Sequence, residues 1–395
     1  MNVIFISPNY PRHFYQFCER LKVRGVNVLG IGDQPWEELS DPCKHAISDY
    51  RYVSSLSDYD AVYRTVASFI AKYGRIDYIE SQNEYWLETD ARIRTDFNIC
   101  SGPKLDALRL MNRKSEMKKV YERAGIPVAR WLLPDNLEEA VAFAKDVGYP
   151  IIMKPDHGMG ASDTHKIHNE KELVSFWSSK VVDVIYIEEE CVPGHVETFD
   201  GITDSHREVL FAASQVLPKS LMDAAHGDDI VSYCQQVPKD LYQMGARLLK
   251  EYDTRNRFFH FEFFCLDEDK EGLGKVGDIV GLEVNMRAPG GRIPDKMNYA
   301  FNTDVYTIWA DSLIHDKCFI NHQFKYYITH IGRRHAISYL HSDEEILKEM
   351  DGQIIEDFEV DKVLALNMGD HAFLLRADSK KAWEHQMNYV LERNK

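Results

Sequence analysis

Two apolar segments, FFHFEFFCL from residue 258 and DIVGLEVNM from residue 278, each carry polar side chains at alternate positions. In a β-strand, this alternation places His260 and Glu262 on one face of the first segment, opposite its phenylalanines. Glu283 and Asn285 share a face of the second segment. Its opposite face is expected to comprise Leu282, Val284 and Met286. If the strands pair as a hairpin, two carboxylates and an amide face one space, and such hard oxygen donors suit Mg²⁺.

Arg287 occupies the next alternate position and is followed by the turn sequence Ala-Pro-Gly-Gly. Its planar guanidinium suits a phosphate or carboxylate bound beside a metal ion. The alternative is an amphipathic hairpin with its charged face in solvent, since charged residues often line exposed strand faces. Glu262 on the preceding strand and the turn favour a metal and phosphate site.

Lys154 ends an apolar strand, where an unpaired charge would be costly. The sequence HGMGAS follows, and backbone amides of such a loop can wrap phosphate oxygens because glycine permits close approach and positive φ. The candidate phosphate-binding residues of this loop are Gly158, Gly160, Ala161 and Ser162. Most Gly-x-Gly stretches are ordinary turns, so a turn is the alternative. Lys114 is a weaker candidate, because basic residues crowd its helical segment and a solvated helix face would explain them.

A further segment, IEEECVPGHVETFDG from residue 187, leads from an apolar and acidic strand into a Pro-Gly turn. The backbone from Glu189 through Glu190 to Val192 could contact an adenine edge. The carboxylate of Glu197 could accept hydrogen bonds from ribose hydroxyls. The alternative is a short acidic connector between strands.

The composition narrows the class of protein. A chain of 395 residues is expected to form two or three domains around a cleft. The 63 acidic and 47 basic residues, a net charge of -16, argue against nucleic acid or an anionic membrane as the main partner. Neither a targeting signal nor a membrane-spanning apolar run is expected. Seven scattered cysteines without metal-site spacing predict reduced thiols in a cytoplasmic protein.

The order of strands and helices predicts four segments. Residues 1–102 alternate short apolar strands with helices, which indicates a parallel sheet covered by helices. Residues 103–182 contain helices, the strand ending at Lys154 and the glycine loop. Residues 183–310 are richer in strands and predict a mostly antiparallel sheet. Residues 311–395 are mixed and contain no recognisable motif.

Together these segments resemble the ATP-grasp superfamily, which includes biotin carboxylase, carbamoyl phosphate synthetase and D-alanine ligases. The resemblance covers residues 1–310 and depends on the order and spacing of the motifs. The motifs are Lys114 before a helix ending in AGIP, Lys154 in MKP, the loop HGMGAS, the hinge IEEECVPG, Glu262 in FHFEFF, and Glu283, Asn285 and Arg287 in LEVNMRAPGG. The hinge departs from the family pattern, because three successive glutamates stand where a Glu is often followed by Lys or an aromatic residue. Glu197 fits the pattern only with a one-residue shift.

The resemblance implies an architecture that combines α/β and α+β parts, an ATP-grasp fold preceded by a Rossmann-like preATP-grasp domain at residues 1–102. Residues 103–182 and 183–310 would be the two ATP-grasp subdomains, and residues 311–395 would complete the fold. The chain is most similar to stand-alone carboxylate-amine ligases. Such enzymes use MgATP to convert a carboxylate to an acyl phosphate, release ADP, and couple the acyl group to an amine.

For the site, the resemblance implies ATP-phosphate contacts from Lys114 and Lys154 under the glycine loop, and a role for Arg287 in stabilising the transferring phosphoryl group. The implied metal ligands are Glu262, Glu283 and Asn285, with Mg²⁺ as the ion and Mn²⁺ as a substitute. Arg292 is a weaker candidate for gripping the substrate carboxylate, and an exposed turn residue is the alternative.

The implied partners are small carboxylate and amine substrates, amino acids among them, and a homo-oligomer is compatible with the sequence. Two alternatives stay open. One is a small-molecule kinase on the same scaffold, and the other is a nucleotide-binding regulatory protein without turnover.

Overall fold

The computed structural model describes residues 1–158, 163–219, 224, 227–362 and 364–394. Within these ranges, three β-sheets are combined with helices. The helices are α1 (Tyr15–Lys22), α2 (Asp41–Ala46), α3 (Tyr59–Tyr73), α4 (Leu87–Asp96), α5 (Leu105–Asn112), α6 (Lys114–Arg123), α7 (Leu137–Val147), α8 (Glu170–Ser179), α9 (Lys239–Leu249), α10 (Ile293–Phe301), α11 (Val305–His315), α12 (Asp343–Glu349), α13 (Ala365–Met368) and α14 (Lys380–Val390). Short 3-10 turns occupy Trp36–Glu38 and Glu84–Trp86.

The first sheet is parallel, with the strand order β3-β2-β1-β4. Its strands are β1 (Asn2–Ile6), β2 (Asn27–Gly32), β3 (Asp49–Tyr52) and β4 (Tyr78–Glu80). The parallel sheet predicted for this part of the chain is therefore confirmed. Strand β3, with the sequence DYRY, was not predicted, because an edge strand of polar and aromatic residues lacks the apolar run of its neighbours.

The second sheet is small and antiparallel, with the order β5-β8-β6-β7. Its strands are β5 (Trp131–Leu132), β6 (Ile151–Pro155), β7 (His165–Ile167) and β8 (Tyr186–Glu190). The sequence grouped β8 with the antiparallel strands that follow it. Its hydrogen bonds instead go to β5 and β6, so the hinge lies at the end of the small sheet. The domain bounds themselves remain predictions.

The third sheet has eight strands in the order β13-β12-β9-β10-β11-β14-β16-β15. They are β9 (Gly194–Thr203), β10 (Val209–Leu217), β11 (Ile230–Gln235), β12 (Phe258–Leu266), β13 (Ile279–Asn285), β14 (Tyr327–Arg333), β15 (Ile354–Glu359) and β16 (His371–Ala377). The predicted antiparallel pairing is confirmed. Residues after 310, which lack a motif, contribute the last three strands of this sheet.

Helices α6 and α9 cover one face of the large sheet. Phe259, Phe261 and Phe263 of β12 pack there with Tyr121 of α6, and all four are fully buried. The ring of Tyr121 lies over Gly281, where an added Cβ would approach it to 2.4 Å. Because this face is packed as core, the alternate side chains of β12 and β13 point to the opposite side.

Among the helices in the described ranges, none combines the length and apolar character needed to cross a membrane.

Candidate functional site

A cavity of about 680 Å³ lies between the small sheet and the face of the large sheet opposite to α6 and α9. Strands β6 and β8 and the start of α6 line one side, and strands β9, β12 and β13 line the other. The loop that follows β4 also reaches it. The lining includes the predicted residues Lys114, Lys154, Glu189, Glu190, Val192, Glu262, Glu283, Asn285 and Arg287. The site is thus assembled from residues that are far apart in the chain.

The predicted hairpin of β12 and β13 is confirmed. Glu262 lies directly opposite Glu283, and His260 lies opposite Asn285. The two strands therefore bring the two carboxylates and the amide to one face. One part of the pattern was wrong: a bulge in the register near Glu262 turns Leu282 into the cavity beside Glu283, although strict alternation put it on the core face.

A hydrogen-bonded chain of three side chains holds Glu262. His260 Nε2 lies 3.0 Å from Glu262 Oε1, and His260 Nδ1 lies 2.5 Å from Asp200 Oδ1. Burial alone would lower the pKa of His260, but the carboxylates of Asp200 and Glu262 outweigh it and raise that pKa to about 10. The buried imidazolium therefore holds Glu262 in place and keeps it ionised.

Glu283 has the opposite electrostatic environment. Burial raises its pKa to about 7, and the carboxylates of Glu262 and Glu84 add to the rise against the opposing effect of Lys114. The pKa of Glu262 is lowered, because His260 outweighs the effect of burial. Two facing carboxylates repel each other, and a divalent cation between them would relieve the repulsion.

Asn285 supplies a neutral oxygen to the same face and is 5% exposed. Among the residues that the structure describes, no group of three or more His, Cys, Asp or Glu side chains has the arrangement of a metal site. The carboxylate pair therefore depends on Asn285, water or phosphate oxygens for further ligands. That donor set fits Mg²⁺, which usually retains several non-protein oxygens.

The two predicted lysines lie on the other side of the cavity. Lys154 Nζ is 3.1 Å from Glu189 Oε2, and Lys118 Nζ is 3.2 Å from Glu189 Oε1. Burial would raise the pKa of Glu189, but these two ammonium groups outweigh it and lower the pKa. The side chain of Glu189 thus compensates buried lysines, a role that the sequence did not predict.

Lys114 begins α6 beside the glycine loop. Its Nζ donates to the carbonyl oxygen of Gly158 at 3.0 Å, and its backbone N–H donates to the backbone carbonyl oxygen of Asp156 at 2.8 Å. These contacts bring Lys114 and the start of the predicted loop together. The other three loop candidates, Gly160, Ala161 and Ser162, lie outside the described residues.

The hinge residues lie where β8 passes into β9. The Glu190 carboxylate accepts hydrogen bonds from the Arg130 backbone at 2.7 Å and from its guanidinium at 3.1 Å. Cys191 and Val192, the next two residues, also line the cavity. The side chain and the backbone N–H of Glu190 are therefore both occupied, because that N–H donates to the Arg130 carbonyl oxygen at 3.0 Å. The adenine contact predicted for this hinge backbone remains a prediction.

The structure does not bring Glu197 to the cavity. Its register partners are Val216 and Phe263, and Phe263 belongs to the packed core face. Its neighbour Thr198 lies opposite Glu262 on the cavity side. Glu197 instead lies 3.5 Å from His195 Nε2 and is outside the cavity lining within the described chain. The ribose contact predicted for Glu197 is therefore not supported by this geometry.

Arg287 is held by the loop that follows β4. Its guanidinium pairs with Glu84, and its Nη1 donates to the Ala288 carbonyl at 2.8 Å. From the same loop, Gln82 accepts a hydrogen bond from the Ala288 backbone at 2.9 Å. Asn83 caps the short 3-10 turn, whereas Glu84 lines the cavity. Glu84 follows β4 of the parallel sheet, and ligands commonly bind beyond the carboxyl ends of such strands, so this position is the sequence signal for its role.

Arg292 lies away from these residues. Its Nε is 2.7 Å from Asp295, and its guanidinium also pairs with Glu356 of β15. It does not line the cavity among the described residues. Lys166, Lys219 and Lys270 also line the cavity and were not predicted, although Lys166 follows the glycine loop by four residues. Lys118, which pairs with Glu189, was not predicted either and stands in the basic segment after Lys114.

Sequence comparisons relate this chain to known ligases. Residues 113–193 match the family described as "Carbamoyl-phosphate synthase L chain, ATP binding domain". An "L-arginine-specific L-amino acid ligase" of Bacillus subtilis is 26% identical over 261 residues, which cover 62% of this chain. The match spans 58% of that ligase, less than two thirds of its length.

Structural comparisons cover nearly the whole chain. The structure is similar to that of an L-amino acid ligase from Bacillus licheniformis, with a TM-score of 0.73, 12% identity, and coverage of 97% of this chain and 95% of that one. It is also similar to the biotin carboxylase domain of a Hydrogenobacter thermophilus 2-oxoglutarate carboxylase solved with MgADP, with a TM-score of 0.69, 14% identity, and coverage of 99% and 90%. These comparisons confirm the predicted resemblance and the ATP-grasp fold.

Proposed function

We propose that this chain, which has the ATP-grasp fold, is an ATP-dependent ligase that couples a carboxylate to an amine and releases ADP and phosphate. The observation that carries the proposal is the facing pair of Glu262 and Glu283 in the same cavity as Lys114 and Lys154. A site for a nucleoside triphosphate requires oxygen ligands for a cation and ammonium groups for the phosphates.

Glu262, Glu283 and Asn285 are the proposed ligands of Mg²⁺, which when bound would neutralise charge on the phosphate oxygens of ATP. Lys114 and Lys154 would contact those oxygens from the opposite side of the cavity. Arg287 would bind the transferring phosphoryl group or the acyl phosphate once Glu84 releases it. The proposed adenine contact is the hinge backbone from Glu189 to Val192.

The proposed reaction has two steps. An oxygen of the substrate carboxylate attacks the γ-phosphorus of ATP, the bond from that phosphorus to the bridging oxygen breaks, and ADP leaves. The amine nitrogen then attacks the acyl carbon, the acyl carbon–oxygen bond breaks, phosphate leaves, and the nitrogen loses a proton. Phosphoryl transfer requires positioning and charge neutralisation rather than a protein nucleophile.

We propose amino acids as substrates on at least one side of the reaction. The support comes from two related proteins, which are described as amino acid ligases. The structural match to one of them extends over 97% of this chain.

The deciding experiment measures ADP and phosphate release from MgATP with pairs of amino acids and small carboxylic acids. The expected result is release that requires both an acid and an amine, together with an amide of matching mass. Release of AMP and pyrophosphate would exclude the acyl phosphate route. A phosphorylated product that accumulates intact would identify a kinase instead.

A further inference from the structure

A second cluster of polar side chains lies on the same face of the large sheet as Glu262, farther across the strands. Asp200 of β9 lies opposite His260 of β12 and opposite Ala213 of β10. Gln215 is two residues after Ala213 and therefore lies on the same face of the sheet. Ser232 on β11 faces His330 on β14. The four residues of interest here, called the Lys296 cluster, are Gln215, Ser232, Lys296 and His330.

Lys296 projects from α10 onto this face and is 1% exposed. Its Nζ donates to Ser232 Oγ at 2.7 Å. Among the residues that the structure describes, no carboxylate lies within 4.0 Å of it. Burial lowers its pKa to about 8, against the opposing effects of Cys234 and Asp200. A largely protonated, buried ammonium without a directly paired anion is costly, since buried charges in proteins are normally paired.

Two other side chains of the Lys296 cluster have polar atoms that lack a hydrogen bond in the described structure. Gln215 is fully buried, and apart from its contact with the Cys234 thiol on the neighbouring strand, the polar atoms of its side chain make no hydrogen bond in the described structure. His330 is 4% exposed, and its Nε2 lies 2.9 Å from the carbonyl of Met368. Because a carbonyl only accepts, Nε2 carries the proton and Nδ1 is an acceptor, which also has no partner in the described chain. Leaving such buried groups without a hydrogen bond destabilises the protein, so a ligand that satisfied them would be favoured.

We propose that the Lys296 cluster binds a substrate carboxylate other than the one that ATP activates. This inference depends on the proposed ligase function. Strand β11 is the third strand from β12, and neighbouring strands are about 4.8 Å apart, which places Ser232 about 14 Å from the strand of Glu262. An activated carboxylate must approach the γ-phosphorus to about 3–3.5 Å. The anion at Lys296 therefore belongs to a distant part of a substrate.

The ligand chemistry follows from the donors and acceptors of the cluster. The ammonium of Lys296 and the hydroxyl of Ser232 suit carboxylate oxygens. The Gln215 amide and the acceptor nitrogen of His330 suit an N–H or O–H group of the same molecule. This carboxylate belongs either to the amine substrate, as in an amino acid acceptor, or to the acid substrate, as in a dicarboxylic acid.

The test compares wild type with Lys296→Met in steady-state ADP release. In one arm, L-amino acids and their carboxamides serve as amine substrates. In the other arm, glutarate and its monoamide serve as acid substrates. In one of the two arms, wild type should prefer the carboxylate to its amide, and Lys296→Met should raise KM about tenfold or more for the carboxylate alone. That arm identifies which substrate carries the bound carboxylate. The KM for ATP should not change.

Two controls separate this role from a structural one. Lys317→Met replaces an exposed lysine and should leave every KM unchanged. Lys296→Met should retain the melting temperature, because replacing an unpaired buried charge by an apolar chain of similar length is often neutral or stabilising. If Lys296→Met fails to fold, Gln215→Leu is tested instead and should raise the KM of the same carboxylate substrate. An unchanged KM in both arms, or an equal rise for carboxylates and amides, would overturn the proposal.

If wild type releases no ADP with any pair, the ligase proposal fails, and the cluster is then tested by calorimetry with glutarate and glutaramide. Binding of glutarate alone, abolished in Lys296→Met, would still support the cluster as a carboxylate site. Equal binding to both proteins, or to neither, would contradict it.

Discussion

At the scale of single residues, the pKa values of Glu262 and Glu283 are shifted in opposite directions although the two carboxylates face each other. Glu262 is held ionised by His260, which in turn is held by Asp200. The pKa of Glu283 is raised to about 7, first by burial and then by its acidic neighbours. This arrangement costs stability in the absence of a cation and would bind one strongly, because the repulsion is relieved on binding.

Replacing Glu283 should therefore separate function from stability. We expect Glu283→Gln to lower kcat by about a hundredfold or more, since electrostatic stabilisation of phosphoryl transfer is usually worth several kcal/mol. The melting temperature should stay equal or rise, because the repulsion between carboxylates is removed. Glu271→Gln, in the exposed loop of the same hairpin, is the matched control and should leave both quantities unchanged. Full activity in Glu283→Gln would remove the metal assignment.

Glu188 provides a test that is independent of catalysis. It is fully buried in the small sheet, and neither carboxylate oxygen has a partner in the described structure. Burial raises its pKa from about 4.5 to about 8. The folded protein therefore keeps the proton that the unfolded chain loses above about pH 4.5. Glu188 should lower the free energy of unfolding progressively between about pH 4.5 and pH 8.

The variant Glu188→Gln fixes the neutral form. We expect its stability to match that of wild type near pH 4.5 and to exceed it by at least about 1 kcal/mol at pH 8.5, since one pKa unit corresponds to about 1.4 kcal/mol. Urea unfolding at the two pH values measures the difference. Glu138→Gln, exposed on α7, should show no such pH dependence. A constant difference between the two pH values would contradict the burial argument.

At the scale of elements, the hairpin of β12 and β13 was predictable because period-two alternation is a local property of the sequence. The bulge that turns Leu282 into the cavity was not, since nothing in DIVGLEVNM marks an extra residue. The hinge glutamates illustrate a second limit. The spacing of Glu189 and Glu197 is visible in the sequence, but the direction of each side chain is not. Pairing of β8 with β6 directs Glu189 toward the lysines, and pairing of β9 with β12 places Glu197 on the core face.

The contact between α6 and the hairpin is also an element property. The hydroxyl of Tyr121 donates to the carbonyls of Glu262 at 3.0 Å and Glu283 at 2.9 Å, and its ring covers Gly281. We expect Gly281→Ala to cost about 1–3 kcal/mol, because the new Cβ would meet the ring at 2.4 Å. Gly290→Ala, where a Cβ meets no atom within 4 Å, is the control. Denaturant unfolding measures both, and equal stabilities would contradict this packing.

At the scale of the whole molecule, the site is completed by contacts between distant segments. The loop after β4 supplies Glu84 to Arg287, and Glu80 pairs with the buried Arg257 at 2.8 Å. Pairing between segments so far apart has no signature in a single sequence. The sequence therefore predicted the parallel sheet and the hairpin motifs, but neither the Glu84–Arg287 pair nor the three strands contributed by residues after 310.

A cavity between two sheets predicts that nucleotide binding stabilises the folded protein. At a concentration of MgADP one hundred times its Kd, we expect about 2.7 kcal/mol of added stability, observed as a rise of a few degrees in melting temperature. EDTA should reduce this rise, because the phosphates then face Glu262 and Glu283 without a cation. Lys154→Met should lose most of it, whereas Lys171→Met, exposed on α8, should retain it. Equal rises in the two variants would mean that the nucleotide binds away from Lys154, and an equal rise with EDTA would mean that it binds without the carboxylate pair.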